Sequence, residues 1–129
     1  MKDFLLSIIL VVVAVVLFVF LLIIAIPWGL VASLWKRSFE NGLKELSAWF
    51  YAWAISIDQL GNVVCKEFFN DALILHNGIP FGNEDETISS VLGKNKKANT
   101  LSKIGKGLDW ILDILDPNHS IKSIEADEL

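Results

Sequence analysis

Apolar side chains fill the start of the chain almost without interruption. Residues 4–35 contain no charged residue, and 20 of the 23 residues from 4 to 26 are Leu, Ile, Val or Phe. As an α-helix rising about 1.5 Å per residue, residues 4–26 would be roughly 35 Å long, enough to cross a hydrocarbon core of about 30 Å with modest tilt. At about −0.3 to −0.6 kcal/mol for each such side chain near mid-bilayer, insertion gains on the order of 6–12 kcal/mol as an upper value. The β-branched content (Val11, Val12, Val13, Val15, Val16, Ile23, Ile24) does not argue for a strand, because a lone strand in lipid leaves its backbone groups unpaired. A removed secretory signal would carry a shorter apolar core, about 7–15 residues, and a small-residue cleavage site. Ala25-Ile26-Pro27-Trp28 is a poor site of that kind. The pattern predicts a retained transmembrane helix over residues 1–35. Pro27 should bend or end the span, with Trp28 and Trp35 in the headgroup layer.

Polar residues 38–42 break the pattern, and a different one follows. Leu46, Trp49, Phe50, Trp53, Ile57, Leu60 and Val64 recur at three- and four-residue steps, a single helical stripe, while Ser47, Tyr51, Asp58 and Asn62 lie on another side. A second crossing fits poorly. Seven Leu, Ile, Val or Phe residues between 46 and 64 contribute roughly −2 to −4 kcal/mol, and Asp58 alone costs about 2.5–3.5 near the bilayer centre. An amphipathic helix in the interface, with Trp49 and Trp53 at headgroup depth, fits better. The competing readings are an aromatic core for a small soluble domain and a true second span. Residues 36–76 form this membrane-proximal helical region, its last part a helix over residues 66–76 stopped by Asn77-Gly78 and Pro80.

Residues 77–99 read as a polar loop and basic linker. Asp85 or Thr87 caps a short helix ending at Gly93, and residues 93–99 are flexible and basic. Residues 100–129 then give an amphipathic helix capped by Thr100, running to Asp116 and closed by Pro117, followed by a tail. Its apolar face is Leu101, Ile104, Leu108, Ile111, Leu112 and Leu115. Lys103 and Lys106 sit early, and Asp109, Asp113 and Asp116 late, the reverse of what the helix dipole favours. A solvated face is the ordinary explanation for such a run of carboxylates; a partner or cation is the alternative. The fold class is mainly α: an amino-terminal transmembrane helix, an amphipathic aromatic helix, and a small helical carboxy-terminal unit.

Charge narrows the partners. The net charge is −4, and seven Lys stand against eleven Asp plus Glu after Cys65. An acidic head argues against nucleic acid, whose phosphates need a cationic field. The lone Cys65 allows no internal disulfide and suits a reducing compartment. Only Lys2 precedes the span, whereas Lys36, Arg37 and Lys44 follow it, so the positive-inside rule places the carboxy-terminal part in the cytoplasm. Within the span, small residues at helical spacing (Ala25, Gly29, Ser33) occur only around Pro27, a weak basis for helix pairing.

Candidate chemistry is sparse. Asp85 and Glu86 with His119 could hold a hard divalent cation such as Mg, Ca or Mn, while zinc would want more His or Cys. His76 reads as a helix-end residue. No zinc-helix histidine pair, phosphate-binding glycine loop or nucleophile elbow is present. No enzyme activity and no cofactor are indicated.

Three blocks carry a resemblance. Asp58-Gln59-Leu60-Gly61-Asn62 is the first, the loop with Asp85, Glu86, Thr87, Ser89 and Ser90 the second, and Asp116 with His119 and the downstream Glu125 the third. Together they resemble a set of small phage and prophage proteins with a DQL-x-N helix, a PDET-[IL]-SS loop and a terminal D-x-x-H-C segment. The likeness covers residues 57–125, about half of the chain. Asn83-Glu84 stands where that loop has Pro, and Ser120 where the segment has Cys, which weakens a His-Cys metal pair. The resemblance implies phage origin more strongly than mechanism. Joined to the anchor, it leads to the expectation of a non-enzymatic integral membrane protein of the bacterial host inner membrane, lysis-associated, whose partners are the bilayer and another phage or host membrane protein. A virion assembly protein and a membrane-tethered metal-dependent enzyme are the alternatives.

Overall fold

The computed structural model describes residues 1–35 and 39–124. Lys36 and Arg37, on which the charge argument for orientation leans, and Glu125 of the third block lie outside the described residues. Six helices and no strand occur among the described residues, in agreement with a mainly α fold. The chain divides into two compact units, Met1–Phe50 and Tyr51–Leu129.

In the first unit, α1 (Lys2–Trp35) is one helix. Its side chains are open to the surroundings throughout the long apolar run, so the segment Lys2–Ser33 is long and apolar enough to cross a membrane and spends none of that surface on a protein core. Pro27 does not end it: the helix continues for two more turns, although Pro27 has no N–H to give the Ile23 carbonyl. The helix persists because the residues on both sides are helix-compatible and only one backbone hydrogen bond is lost. Trp28 and Trp35 are 70% and 85% exposed. Trp49, from the following helix α2 (Phe39–Val64), lies against Gly29; a Cβ added there would stand 2.6 Å from the indole Cη2. Gly29 thus serves an internal contact.

The second unit contains the remainder of α2, then α3 (Lys66–Ala72), α4 (Ile88–Ala98), α5 (Lys103–Leu115) and the single turn α6 (His119–Lys122). Leu73, Ile74, Phe81, Val91, Leu92 and Leu101 form its core, with Phe69, Ala72, Ile88, Leu108 and Leu112 packed around them. Phe69 meets Phe81 edge to face at 5.3 Å. The aromatic stripe of α2 is not this core, which removes the soluble-core reading: Ile57, Leu60 and Val64 remain exposed, and Asn62 on the polar side is the buried residue.

Three boundaries depart from the sequence reading. Helix α3 stops at Ala72 and does not reach His76, because residues 73–75 leave the helix to pair with residues 100–102. Ile74 bridges Leu101, the Leu75 N–H donates to Thr100 O (2.8 Å), and the Ser102 N–H donates to Leu73 O (2.9 Å). Residues 93–98 are not a flexible linker; they are the second half of α4. Gly93 is buried because the Ser120 carbonyl occupies the space a Cβ would take, and α4 ends at Asn99 in the left-handed region (φ 57°). The cap of α5 is Ser102, whose Oγ accepts the Gly105 N–H (3.1 Å). Thr100 faces inward and donates its hydroxyl to Asn95 Oδ1 (2.6 Å).

Candidate functional site

Two of the three sequence blocks lock the second unit together. Asp58, on α2, accepts the Ser89 hydroxyl (2.8 Å) and the Ser89 N–H (3.3 Å). Thr87 caps the same helix, its Oγ1 accepting the Ser90 N–H (3.0 Å). Two first-turn donors of α4 are satisfied this way, and the Asp58 carboxylate also sits at the positive end of the helix dipole. Gln59 donates to Asp85 O (3.1 Å). The DQL-x-N block and the loop block therefore recognise one another.

Asparagines then pin the loop between α3 and α4. Asn62 is fully buried; its amide donates to Asn83 O (2.9 Å) and Glu86 O (2.8 Å), and its Oδ1 accepts the Gly82 N–H (2.9 Å). Asn70 pairs with both backbone groups of Phe81. Asn95, also fully buried, does the same for Ile79 and gives its second amide proton to Val91 O. A carboxamide offers a donor and an acceptor in the arrangement of a peptide group, so each Asn replaces a missing strand partner. Gly82, at φ 117°, turns the chain where a side chain would be strained.

The carboxylates of α5 are not a solvated face. Lys96 of α4 reaches both Asp109 and Asp113 at 2.8 Å. Asp109 also accepts the buried Ser120 hydroxyl (2.5 Å). Hydrogen bonds donated to Asp109 and then to Asp113 hold the Lys96 ammonium above its ordinary range, and Lys96 holds the Asp113 carboxyl below its own. Asp116 is lowered by Lys122 (2.6 Å) and then by His119 (3.3 Å). The reversed charge order along α5, unfavourable by the dipole, is offset by an internal cation from α4.

The metal set is not gathered. The Glu86 carboxylate is paired with Lys94 and accepts the Ser90 hydroxyl. Asp85 is exposed on the loop, while His119 stands beside Asp116 on the far side of the sequence. Among the described residues no three His, Cys, Asp or Glu side chains share one cation site.

An open cleft of about 770 Å³ does bring residues of all three blocks together. Asp58, Thr87, Ser89 and His119 line it, with Lys122 at its edge and Tyr51, Ile55, Ile88, Leu112 and Ile124 as its apolar wall. Of its polar groups, the Ser89 hydroxyl is bonded to Asp58 and Lys122 to Asp116. Such a cleft can accommodate an apolar group beside the Lys122 ammonium. Sequence reasoning missed Lys96, Lys122, Asn70 and Asn95. For Asn70 a signal existed, since it stands within a segment that reads as helix, where a carboxamide is a poor choice unless its bonds are used; Asn95 lies in the stretch that reads as a linker and gave none. Comparison with family models finds no match, and comparisons with curated proteins and with solved structures find none either.

Proposed function

We propose that this chain is a non-enzymatic, membrane-anchored protein of small phage type, acting at a bacterial host's inner membrane. The observation that carries the reading is α1, whose segment Lys2–Ser33 is long and apolar enough to cross a membrane and whose most apolar stretch is buried by no protein surface. Such a helix in water would expose a patch far larger than soluble monomers tolerate. The second unit supports a binding rather than a chemical role, because its buried polar groups bond to one another and to the backbone. A lysis-associated action follows from the phage resemblance joined to the anchor. Expression in a bacterium tests it on two levels. Retention of the chain in the membrane after carbonate washing supports the anchor, and recovery in the aqueous supernatant overturns it. An abrupt fall of culture turbidity supports lysis; unaltered growth with the chain in the membrane removes lysis and favours virion assembly, which detection in purified particles would establish.

A further inference from the structure

Helix α5 leaves its most apolar side uncovered. Ile104, Trp110, Ile111, Ile114 and Leu115 are between 51% and 79% exposed, although the helix has only thirteen residues. On an α-helix of 3.6 residues per turn, Ile104, Gly107, Ile111, Ile114 and Leu115 share one side and Trp110 borders it. Gly107 has open space where a side chain would project.

The charges around this face have one sign. Lys103 and Lys106 are exposed beside Trp110. The two carboxylates of α5, Asp109 and Asp113, turn to Lys96 on the other side, and Asp116, just past the helix, pairs with Lys122 and His119. A chain with a net charge of −4 thus places two exposed lysines, and no acid of α5, beside the apolar side of this helix. An apolar stripe bordered by Trp and Lys, with all acid turned away, is the composition of a helix lying in an anionic lipid interface.

We propose that α5 docks on the anionic phospholipid surface, its apolar side in the headgroup–acyl boundary and Lys103 and Lys106 on the lipid phosphates. This rests on the membrane-anchored reading, which keeps the second unit tethered to a bilayer and gives even a weak contact a high effective concentration. Lipid is the occupant that the charge favours. A protein partner for an acidic chain has no need of a lysine-only margin, and a second copy would set Lys103 and Lys106 against their own kind or leave them unmatched.

The test uses the full chain in a Cys65→Ser background, reconstituted in phosphatidylcholine vesicles with or without phosphatidylglycerol. An environment-sensitive fluorophore is placed by Ile114→Cys or, as a reference, by Lys97→Cys, and quenched by spin-labelled lipid. Circular dichroism checks that each variant is helical. Several-fold stronger quenching at 114 than at 97, greater with phosphatidylglycerol and reduced by Lys103→Glu with Lys106→Glu, supports docking. Equal quenching at the two positions overturns it. So does a blue shift at 114 that lipid does not quench and that grows with protein density, which would mean a second copy covers the face. Carbonate washing of the same vesicles reports on the anchor separately, since quenching is read before the wash. A chain that is quenched at 114 and then washed off would retain the docking and lose the anchor.

Discussion

The carboxylate of Asp58 accepts both the N–H and the hydroxyl of Ser89, thirty-one positions further along the chain. One side chain of α2 thereby fixes where α4 begins. Replacing it tests whether the first sequence block is a fold lock or a ligand site. Asp58→Ala leaves a first-turn donor of α4 without its acceptor and should destabilise the second unit by about 1–2 kcal/mol, read as a lower thermal midpoint of the full chain in detergent. Asp58→Asn should recover part of the loss, because an amide oxygen still accepts. An Asp58→Ala protein as stable as the parent would free this carboxylate for another role.

Asn62 makes a sharper case, since three backbone groups depend on it. Asn62→Leu is close in volume but leaves the Gly82 N–H and the carbonyls of Asn83 and Glu86 unpaired beside a buried apolar group. At about 1–3 kcal/mol for each buried group left unsatisfied, the variant should lose the ordered loop outright. Amide exchange at Gly82 should rise by orders of magnitude while α1 is unaffected. If Gly82 stays protected, the loop is held by Asn70 and Asn95 alone.

The Lys96 cluster predicts a pH response with a definite sign. The Asp113 and Asp116 carboxyls are held below their ordinary value of 3.8, so their contribution is full above that value and is lost as pH falls through the lower folded values. Lys96 is held above its ordinary 10.5, so its contribution is full below that and is lost as pH rises through the raised value. Between those limits these three groups should leave stability flat. Lys96→Met should lower stability at neutral pH, because Asp109 and Asp113 then face each other without a cation, and should shrink the acid-side loss. Midpoints measured from about pH 5 down to about pH 2 decide it: a Lys96→Met acid limb as steep as the parent's would assign the loss to other carboxylates.

Much of this architecture is legible in the sequence, and the misses share a cause. The long apolar run and the three- and four-residue steps of α2 report local properties, hydropathy and period, and both appear where expected as helices. Thr87 was readable as a cap because Thr before a helix has a local meaning. Residues 93–99 were not readable, because Gly, Lys and Asn are weak helix signals taken alone. What makes them helical is distant in sequence: Gly93 admits the Ser120 carbonyl, and Asn95 binds Ile79 and Thr100. Asp109 and Asp113 failed in the same way, as their cation comes from the segment that read as a linker. Helix α3 ends early for a partner twenty-seven residues away, Leu101 opposite Ile74. The Asp85, Glu86 and His119 set looked plausible by residue type alone; three-dimensional placement gives Glu86 to Lys94 and His119 to Asp116.

Two glycines separate tertiary from local effects. At Gly93 an added Cβ would overlap the backbone carbonyl of Ser120, and backbone cannot rotate aside as a side chain can. Gly93→Ala should therefore push α6 from α4 and cost about 1–3 kcal/mol, the range for overpacking, despite the better helix propensity of Ala. At Gly107 nothing lies within 4 Å of an added Cβ. Gly107→Ala should gain about 0.5–1 kcal/mol by restricting the unfolded chain and favouring helix. Thermal midpoints of the two variants should thus move in opposite directions from the parent. If both rise, α6 does not pack on Gly93.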